Sequence, residues 1–257
     1  SYDAYMRLVH PDDRQRFDEV VRATVEQGSP FHVEHRTLRG DGQERVLDCR
    51  GRLLRDTRGT PVKLLGTAQD VTRQRLAEQR LEHLALHDPL TGLPNRSLFL
   101  DRLEHALATA KRPGTGLAVY FCDVDDFKVV NDGLGHEAGD ELLVALPPRL
   151  REALRPADTM ARFGGDEFAI LCENLGSEAD AVGVAERITS AFSRPLEVGG
   201  RVHHVDVSIG VVFVGGGDAE PGEVLRDADA AMSRAKSAGK SRFALFDDGM
   251  RPSLLHR

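Results

Sequence analysis

Apolar residues first recur at helical spacing at Phe17, Val20, Val21 and Val25. Pro11-Asp12-Asp13 ahead of them reads as a helix start with acidic residues in its first turn, and Gly28 ends the run. Apolar and polar positions then alternate over 31–39, 44–55 and 62–71, broken by Gly40-Asp41-Gly42 and Asp56-Thr57-Arg58-Gly59. Such Gly- and Asp-rich breaks between alternating runs are hairpin signals. Residues 1–70 therefore read as a helix followed by three strands, a small α+β module.

Residues 71–87 are charged and helical in pattern, with a narrow apolar stripe at Leu76, Ala77, Leu81 and Leu84. The four-then-three spacing of Ala77, Leu81 and Leu84 suits a short two-stranded coiled coil. A helix packed on its own domain would carry the same stripe. From Asp88 onward strands alternate with helices. The pattern predicts helices at 95–111, 137–154, 179–192 and 221–237, and strands at 116–124, 159–163, 168–173, 203–214 and 242–246. Pro147-Pro148 falls inside the second helix, where a kink is expected. Strands buried on one face with helices on the other predict an α/β sandwich. The expected organisation is thus a module at 1–70, a helical linker at 71–87, a domain at 88–247 and a tail at 248–257.

Composition sharpens this picture. A chain of 257 residues with 40% apolar and 29% charged residues is ordinary for a globular protein of one large or two small domains. No apolar run approaches the ~18 residues of a membrane span, so no membrane segment is expected within this chain. The polar, acidic start shows no signal peptide, and the first residue is Ser rather than Met. Cys49, Cys122 and Cys172 have no CxxC spacing; a sparse, odd set predicts a reducing cytoplasm, with Cys122 and Cys172 as small core residues. The net charge of −7 excludes the usual basic footprint of a nucleic-acid binder. Any phosphate handled here needs a metal ion or a few placed lysines.

The apolar strand ending at Cys122 runs straight into Asp123-Val124-Asp125-Asp126. Carboxylates at a strand end stand where sheet meets solvent, and hard oxygen ligands there suit Mg²⁺; an acidic turn capping the next segment is the plainer alternative. Gly164-Gly165 gives a turn without Cβ atoms between two short strands, and Asp166 and Glu167 follow at its tip. An acidic turn beside a phosphate requires a cation between them, which resolves the charge question.

Two resemblances follow from these residues. Leu8-Val9-His10-Pro11-Asp12-Asp13-Arg14, Glu34-His35-Arg36, Arg39-Gly40-Asp41-Gly42 and Gly66-Thr67-Ala68-Gln69-Asp70-Val71-Thr72 resemble the C-terminal half of a PAS sensor domain. From Asp88 to Phe246 five ordered blocks resemble the GGDEF-type diguanylate cyclases. They are Asp88 to Arg96, Asp123 to Lys128 with Asn131-Asp132, Gly135 to Asp140, Arg162 to Phe168, and Ala228 to Ala231 with Ala235-Lys236. The resemblance implies a palm-like α/β sandwich that condenses two GTP into cyclic di-GMP. It implies Mg²⁺ (or Mn²⁺) held by Asp123, Asp166 and the Val124 carbonyl, with Asp166 as proton acceptor and Glu167 as its supporter. Asn131 and Asp140 would read guanine, with His136, Lys128 and the Gly164-Gly165 backbone at the same nucleotide. Lys236 and Lys240, placed one helical turn apart, would face the outer phosphates. Each residue also has a structural reading: Asn131 or His136 as helix caps, Asp140 as a surface acid, the lysines as a solvated helix end.

Arg155-Pro156-Ala157-Asp158 lies nine residues before Gly164, where the family places a product-inhibition site. A six-residue strand spans ~20 Å, so this pair belongs to a separate, allosteric pocket. Ser233 stands where the family usually has Tyr, and Lys240-Ser241 where it has Arg-Asn. Because one domain binds one GTP and the product joins two, a homodimer paired through the 71–87 helix is implied. The tail Phe246-Asp247-Asp248-Gly249-Met250-Arg251 resembles the junction into an EAL phosphodiesterase domain. A catalytically weak domain that senses GTP or cyclic di-GMP for such a partner is the rival reading.

Overall fold

The computed structural model describes residues 2–110, 116–198, 200–216 and 218–250, so the expected helix end at 111 and the tail beyond 250 lie outside them. The chain divides into two compact units, Ser1–Glu82 and His83–Arg257. In the first, α1 (Tyr2–Leu8) and a 3₁₀ turn at Pro11–Asp13 precede α2 (Arg14–Gln27). Helix α2 stops at Gly28, whose φ of +77° is a left-handed value that glycine adopts without a Cβ clash. Phe17 and Val21 from α2 join Val9, Val33 and Cys49 in a small core. Strands β1 (Phe31–Leu38), β2 (Glu44–Arg55) and β3 (Pro61–Asp70) form an antiparallel sheet in that order. Arg36 on β1 donates to both Asp13 oxygens, at 2.7 and 3.0 Å, and so ties the sheet to the helix start.

Helix α1 departs from the expected pattern, which began the first helix at Pro11. It buries no residue fully, and only Tyr5 and Met6 pack partly on the core, so its seven residues carry too little periodicity to read. Helix α3 (Thr72–Leu86) opens where Thr72 donates to Asp70 at 2.6 Å and accepts from the Val46 N–H at 2.9 Å. Leu76, Leu81 and Leu84 on it are 60%, 66% and 48% exposed.

The second unit is built on a five-stranded sheet. Its elements run α4 (Arg96–Thr109), β4 (Gly116–Val124), α5 (Phe127–Leu134), α6 (His136–Ala153), β5 (Thr159–Gly164), β6 (Glu167–Leu175) and α7 (Glu178–Phe192). There follow β7 (Leu196–Val198), β8 (Arg201–His203), β9 (Val207–Val214), α8 (Pro221–Ser237) and β10 (Arg242–Leu245). The sheet order is β10-β9-β4-β6-β5, with β4 antiparallel to both neighbours and β10 parallel to β9.

Central strand β4 is buried at every position. Leu142, Leu146, Val184 and Ile188 of α6 and α7 pack in one core cluster; Phe99, Leu103, Ala228 and Met232 of α4 and α8 pack in the other. The sheet is therefore covered on both faces, not on one as the sequence suggested, which is why its central strand reads as a continuous apolar run. Truncating a fully buried leucine such as Leu142 to Ala should cost about 2–5 kcal/mol.

Two further expectations are corrected. The strand expected over 203–214 is two: β8 pairs with β7 in a separate ribbon, and β9 starts afresh at Val207. Helix α5 was not expected, because its eight residues bury none fully. Helix α6 runs through Pro147 and Pro148 without a break; Pro147 is buried in its packed face. Among the described residues no helix is long and apolar enough to cross a membrane.

Topology decides where chemistry can occur. Because β6 and β9 run antiparallel to β4, Asp123 lies opposite Glu167 on one side and Ser208 on the other. Strand β10, parallel to β9, begins opposite Ser208. The end of β4, the β5–β6 turn and the α8–β10 turn thus converge on one edge of the sheet.

Candidate active site

Asp123 ends the buried strand and is itself only 8% exposed. Lys236, in the last turn of α8, places its Nζ 2.7 Å from Asp123 Oδ2. The Val124 N–H donates to the Asp166 carbonyl at 3.2 Å, which fixes the turn residue against the strand end. Burial pushes the Asp123 carboxyl above its ordinary range; the Lys236 bond opposes this, and the charges of Asp166 and Asp125 reinforce it. Glu167 is pushed up likewise, by burial first and then by Asp123, Asp166 and Asp229. These carboxylates repel one another with too little positive charge among them.

A divalent cation fits that deficit. Among the described residues no three His, Cys, Asp or Glu side chains are grouped to hold an ion unaided. Magnesium does not need them: it takes one or two carboxylates and completes its shell with water and substrate phosphate. Two aspartates and a neighbouring carbonyl at a sheet edge are a suitable donor set for it.

The turn before Asp166 is shaped by Gly164 (φ +142°) and Gly165 (φ +50°), values that side-chain-bearing residues rarely adopt. Arg162 holds it. Its Nε and Nη2 donate to the Gly165 carbonyl at 3.1 and 2.7 Å, and its Nη1 donates to both Asp88 oxygens at 2.9 and 3.0 Å. Asp88 also accepts from the Thr91 N–H and hydroxyl at 2.8 and 2.6 Å. Burial pushes the Asp88 carboxyl up, but the bonds from Thr91 and Arg162 outweigh it and hold the group below its usual range.

Lys240 is not one helical turn along α8 from Lys236, as the spacing suggested. Helix α8 stops at Ser237, and Lys240 lies beyond it in a turn with φ +61°. It still reaches the acidic edge, with its Nζ 2.6 Å from Asp126 Oδ1.

Asn131 lies inside α5, and its buried Oδ1 has no hydrogen-bond partner among the described residues. That atom nearly touches α6 at Gly139, where an added Cβ would lie 2.0 Å away. His136 opens α6 without capping it, and exposed Asp140 follows one turn later. The capping alternatives for Asn131 and His136 are therefore not what these side chains do. Lys128 is exposed on α5.

Arg155 and Asp158 stand apart from this edge. They form a tight turn just before β5, with the Arg155 N–H donating to Asp158 Oδ2 at 2.7 Å. Strand β5 then runs six residues to Gly164, about 20 Å of extended chain. Sequence reasoning missed the roles of Asp88, Asp125 and Arg162. Only the Asp88-Pro-Leu-Thr turn carried a local signal, an Asp accepting from backbone a few residues ahead.

Carboxylates and lysines thus gather at one end of the five-stranded sheet of an α/β domain. The chain belongs to the GGDEF family: the family model described as diguanylate cyclase, GGDEF domain, matches residues 85–242, and that of the PAS fold matches residues 1–68. The Pseudomonas aeruginosa diguanylate cyclase TpbB is 43% identical over 65% of this chain and 39% of its own length. The solved structure of its GGDEF domain superposes with a TM-score of 0.61 at 41% identity, covering 64% of this chain and 96% of that one. MucR of the same organism, a bifunctional diguanylate cyclase/cyclic di-GMP phosphodiesterase, is 42% identical over 68% of this chain and 25% of its own. The coiled coil and GGDEF domain of DgcB from Caulobacter crescentus, solved with cyclic di-GMP, gives a TM-score of 0.59 at 29% identity, covering 68% and 93%. The chain spans about a third of the length of the curated relatives it matches.

Proposed function

We propose that this chain condenses two GTP molecules into cyclic di-GMP, releasing two pyrophosphates, at the sheet edge around Asp123, Asp166 and Glu167. The observation that carries the reading is the desolvated Asp123 carboxylate, paired with Lys236 and crowded by Asp166 and Glu167. Asp123, Asp166 and the Val124 carbonyl would hold Mg²⁺ or Mn²⁺. When bound, the ion neutralises the α-phosphate and the departing pyrophosphate and eases deprotonation of the attacking hydroxyl. Asp166 accepts the proton of the ribose 3′-hydroxyl, and Glu167 supports it. Lys236 and Lys240 receive the outer phosphates, with Lys128 and the Gly164-Gly165 backbone beside them. Asn131, His136 and Asp140 hold the base; the Asp140 carboxylate is an acceptor suited to the paired N1–H and N2–H₂ donors of guanine, a pair that adenine does not offer.

Two such sites must face each other, most simply across a twofold axis. Exposed leucines on α3 support pairing through that helix, and the DgcB relative was solved with its coiled coil. Arg155 and Asp158 would bind the product remotely from the reacting atoms and feed back on the rate, an assignment supported by their separation along β5. Three free, buried cysteines favour catalysis in the cytoplasm. MucR suggests a phosphodiesterase partner domain for the whole protein. The decisive experiment incubates the chain with GTP and Mg²⁺ and follows pyrophosphate. Wild type should release it and Asp166→Ala should not; equal release from both would overturn the assignment.

A further inference from the structure

Asp125 belongs to neither the implied metal set nor the solvent. It is 9% exposed, one residue past β4, and all its partners lie far along the chain. Ser208, fully buried on β9, donates its hydroxyl to Asp125 Oδ1 at 2.8 Å and Oδ2 at 3.1 Å. The backbone N–H of Ser241 donates to Oδ2 at 2.9 Å. The Asp125 N–H in turn donates to the Asp206 carbonyl at 3.0 Å.

The turn that Asp125 grips is conformationally unfavourable. Lys240 (φ +61°) and Ser241 (φ +50°) are consecutive non-glycine residues in the left-handed region, following Gly239 at +116°. Two such residues side by side persist only where surrounding structure holds them. The turn folds back through the Lys240 N–H, which donates to the Ala235 carbonyl at 3.2 Å. Its outer side chain, Lys240, is the one that reaches Asp126. A buried carboxylate is a strong acceptor for the Ser241 N–H, stronger than a neutral amide would be.

We infer that Asp125 is a positioning residue: by holding the Ser241 N–H against β9 it fixes the left-handed turn that aims Lys240 at the nucleotide phosphates. The inference rests on the proposed role of Lys240 as a phosphate contact. Asp125 touches neither substrate nor metal in this scheme; its charge also raises the Asp123 carboxyl, and its effect on the KM for GTP runs through Lys240.

Steady-state kinetics on the full chain with GTP and Mg²⁺ test this. Lys240→Ala should raise the KM for GTP about tenfold with kcat nearly unchanged, the size of one lost charged contact. Asp125→Ala should do the same, and Asp125→Asn, which keeps the volume and one acceptor oxygen, should fall between it and wild type. The double variant Asp125→Ala/Lys240→Ala should be no worse than Lys240→Ala, since both remove one interaction. Effects that multiply in the double variant, or an Asp125→Asn protein with unchanged KM, overturn the inference while leaving the Lys240 reading intact. An unchanged KM in Lys240→Ala overturns that reading and the inference together. Melting curves on each variant guard against misfolding, and Asp125→Asn alone decides if Asp125→Ala does not fold.

Discussion

The Asp88 carboxylate lies 2.9 Å from Arg162 Nη1, and the same guanidinium donates to the Gly165 carbonyl at 2.7 Å. One arginine therefore bridges the turn that follows α3 and the glycine turn that presents Asp166. Both partners are largely shielded, at 10% and 14% side-chain exposure, so the pair is not a screened surface contact. Removing one partner leaves the other charge under-compensated. Arg162→Ala should lower unfolding stability by about 2–3 kcal/mol and slow pyrophosphate release at least tenfold. Chemical denaturation and GTP turnover check this. Asp88→Ala should act in the same direction, and the double variant should be less than additive. A turn that keeps full activity without Arg162 would show that the bridge does not position it.

A second prediction concerns Asn131 and its proposed contact with the base. An added Cβ at Gly139 would lie 2.0 Å from Asn131 Oδ1, so Gly139→Ala must push the Asn131 amide away. Helix propensity alone favours Ala over Gly by about 1 kcal/mol, which limits the stability loss. The expected result is a raised KM for GTP with a melting temperature close to wild type. Unchanged GTP affinity would mean that Asn131 does not contact the base.

Much of this fold was legible because its longer elements carry their own punctuation. Strand β2 is bounded by Gly- and Asp-rich turns, β4 is apolar from Leu117 to Cys122, and α8 starts at a proline. Helix α5 was not legible: it is short and contains Gly133, and its apolar stripe of Phe127, Val130 and Leu134 covers only two turns. The break between β8 and β9 was hidden because no Gly or Pro marks it and the apolar–polar alternation of β9 already begins at buried Val205. In the candidate site, strand ends and glycine turns marked where Asp123 and Asp166 stand. Asp88, Asp125 and Arg162 act through pairings 74 to 116 residues apart, which no local pattern encodes. The position of Lys240 failed for a related reason: spacing assumed that α8 continued, whereas the chain leaves the helix and turns left-handed.

A third prediction uses the first unit. The Asp13 carboxyl, bonded by Arg36, is held down to about 2 from an ordinary value of 3.8. A depressed carboxylate contributes stability that is present above its unfolded value and is lost as pH falls through the folded one. The Asp13–Arg36 contribution should therefore be complete above about pH 5 and disappear between roughly pH 4 and pH 2. Asp13→Asn should be less stable than wild type near neutrality, and the difference should shrink over that acid range. Denaturant midpoints of both proteins across the range measure it. A difference independent of pH would show that the pair contributes through packing and not through charge.

The last prediction concerns assembly. Leu76, Leu81 and Leu84 expose 60%, 66% and 48% of their surface on a charged helix, and each exposed apolar side chain favours a partner that covers it. Burying a leucine contributes about 1.5–3 kcal/mol, so a pair of helices that covers Leu81 from both copies loses several kcal/mol when it becomes charged. Leu81→Glu should shift the sedimentation profile toward monomer and make specific activity fall steeply as the protein is diluted. Its effect on the thermal stability of either unit should be small, because Leu81 is exposed in the single chain. Turnover per chain that is independent of concentration in both wild type and Leu81→Glu would rule out α3 as the element that brings the two half-sites together.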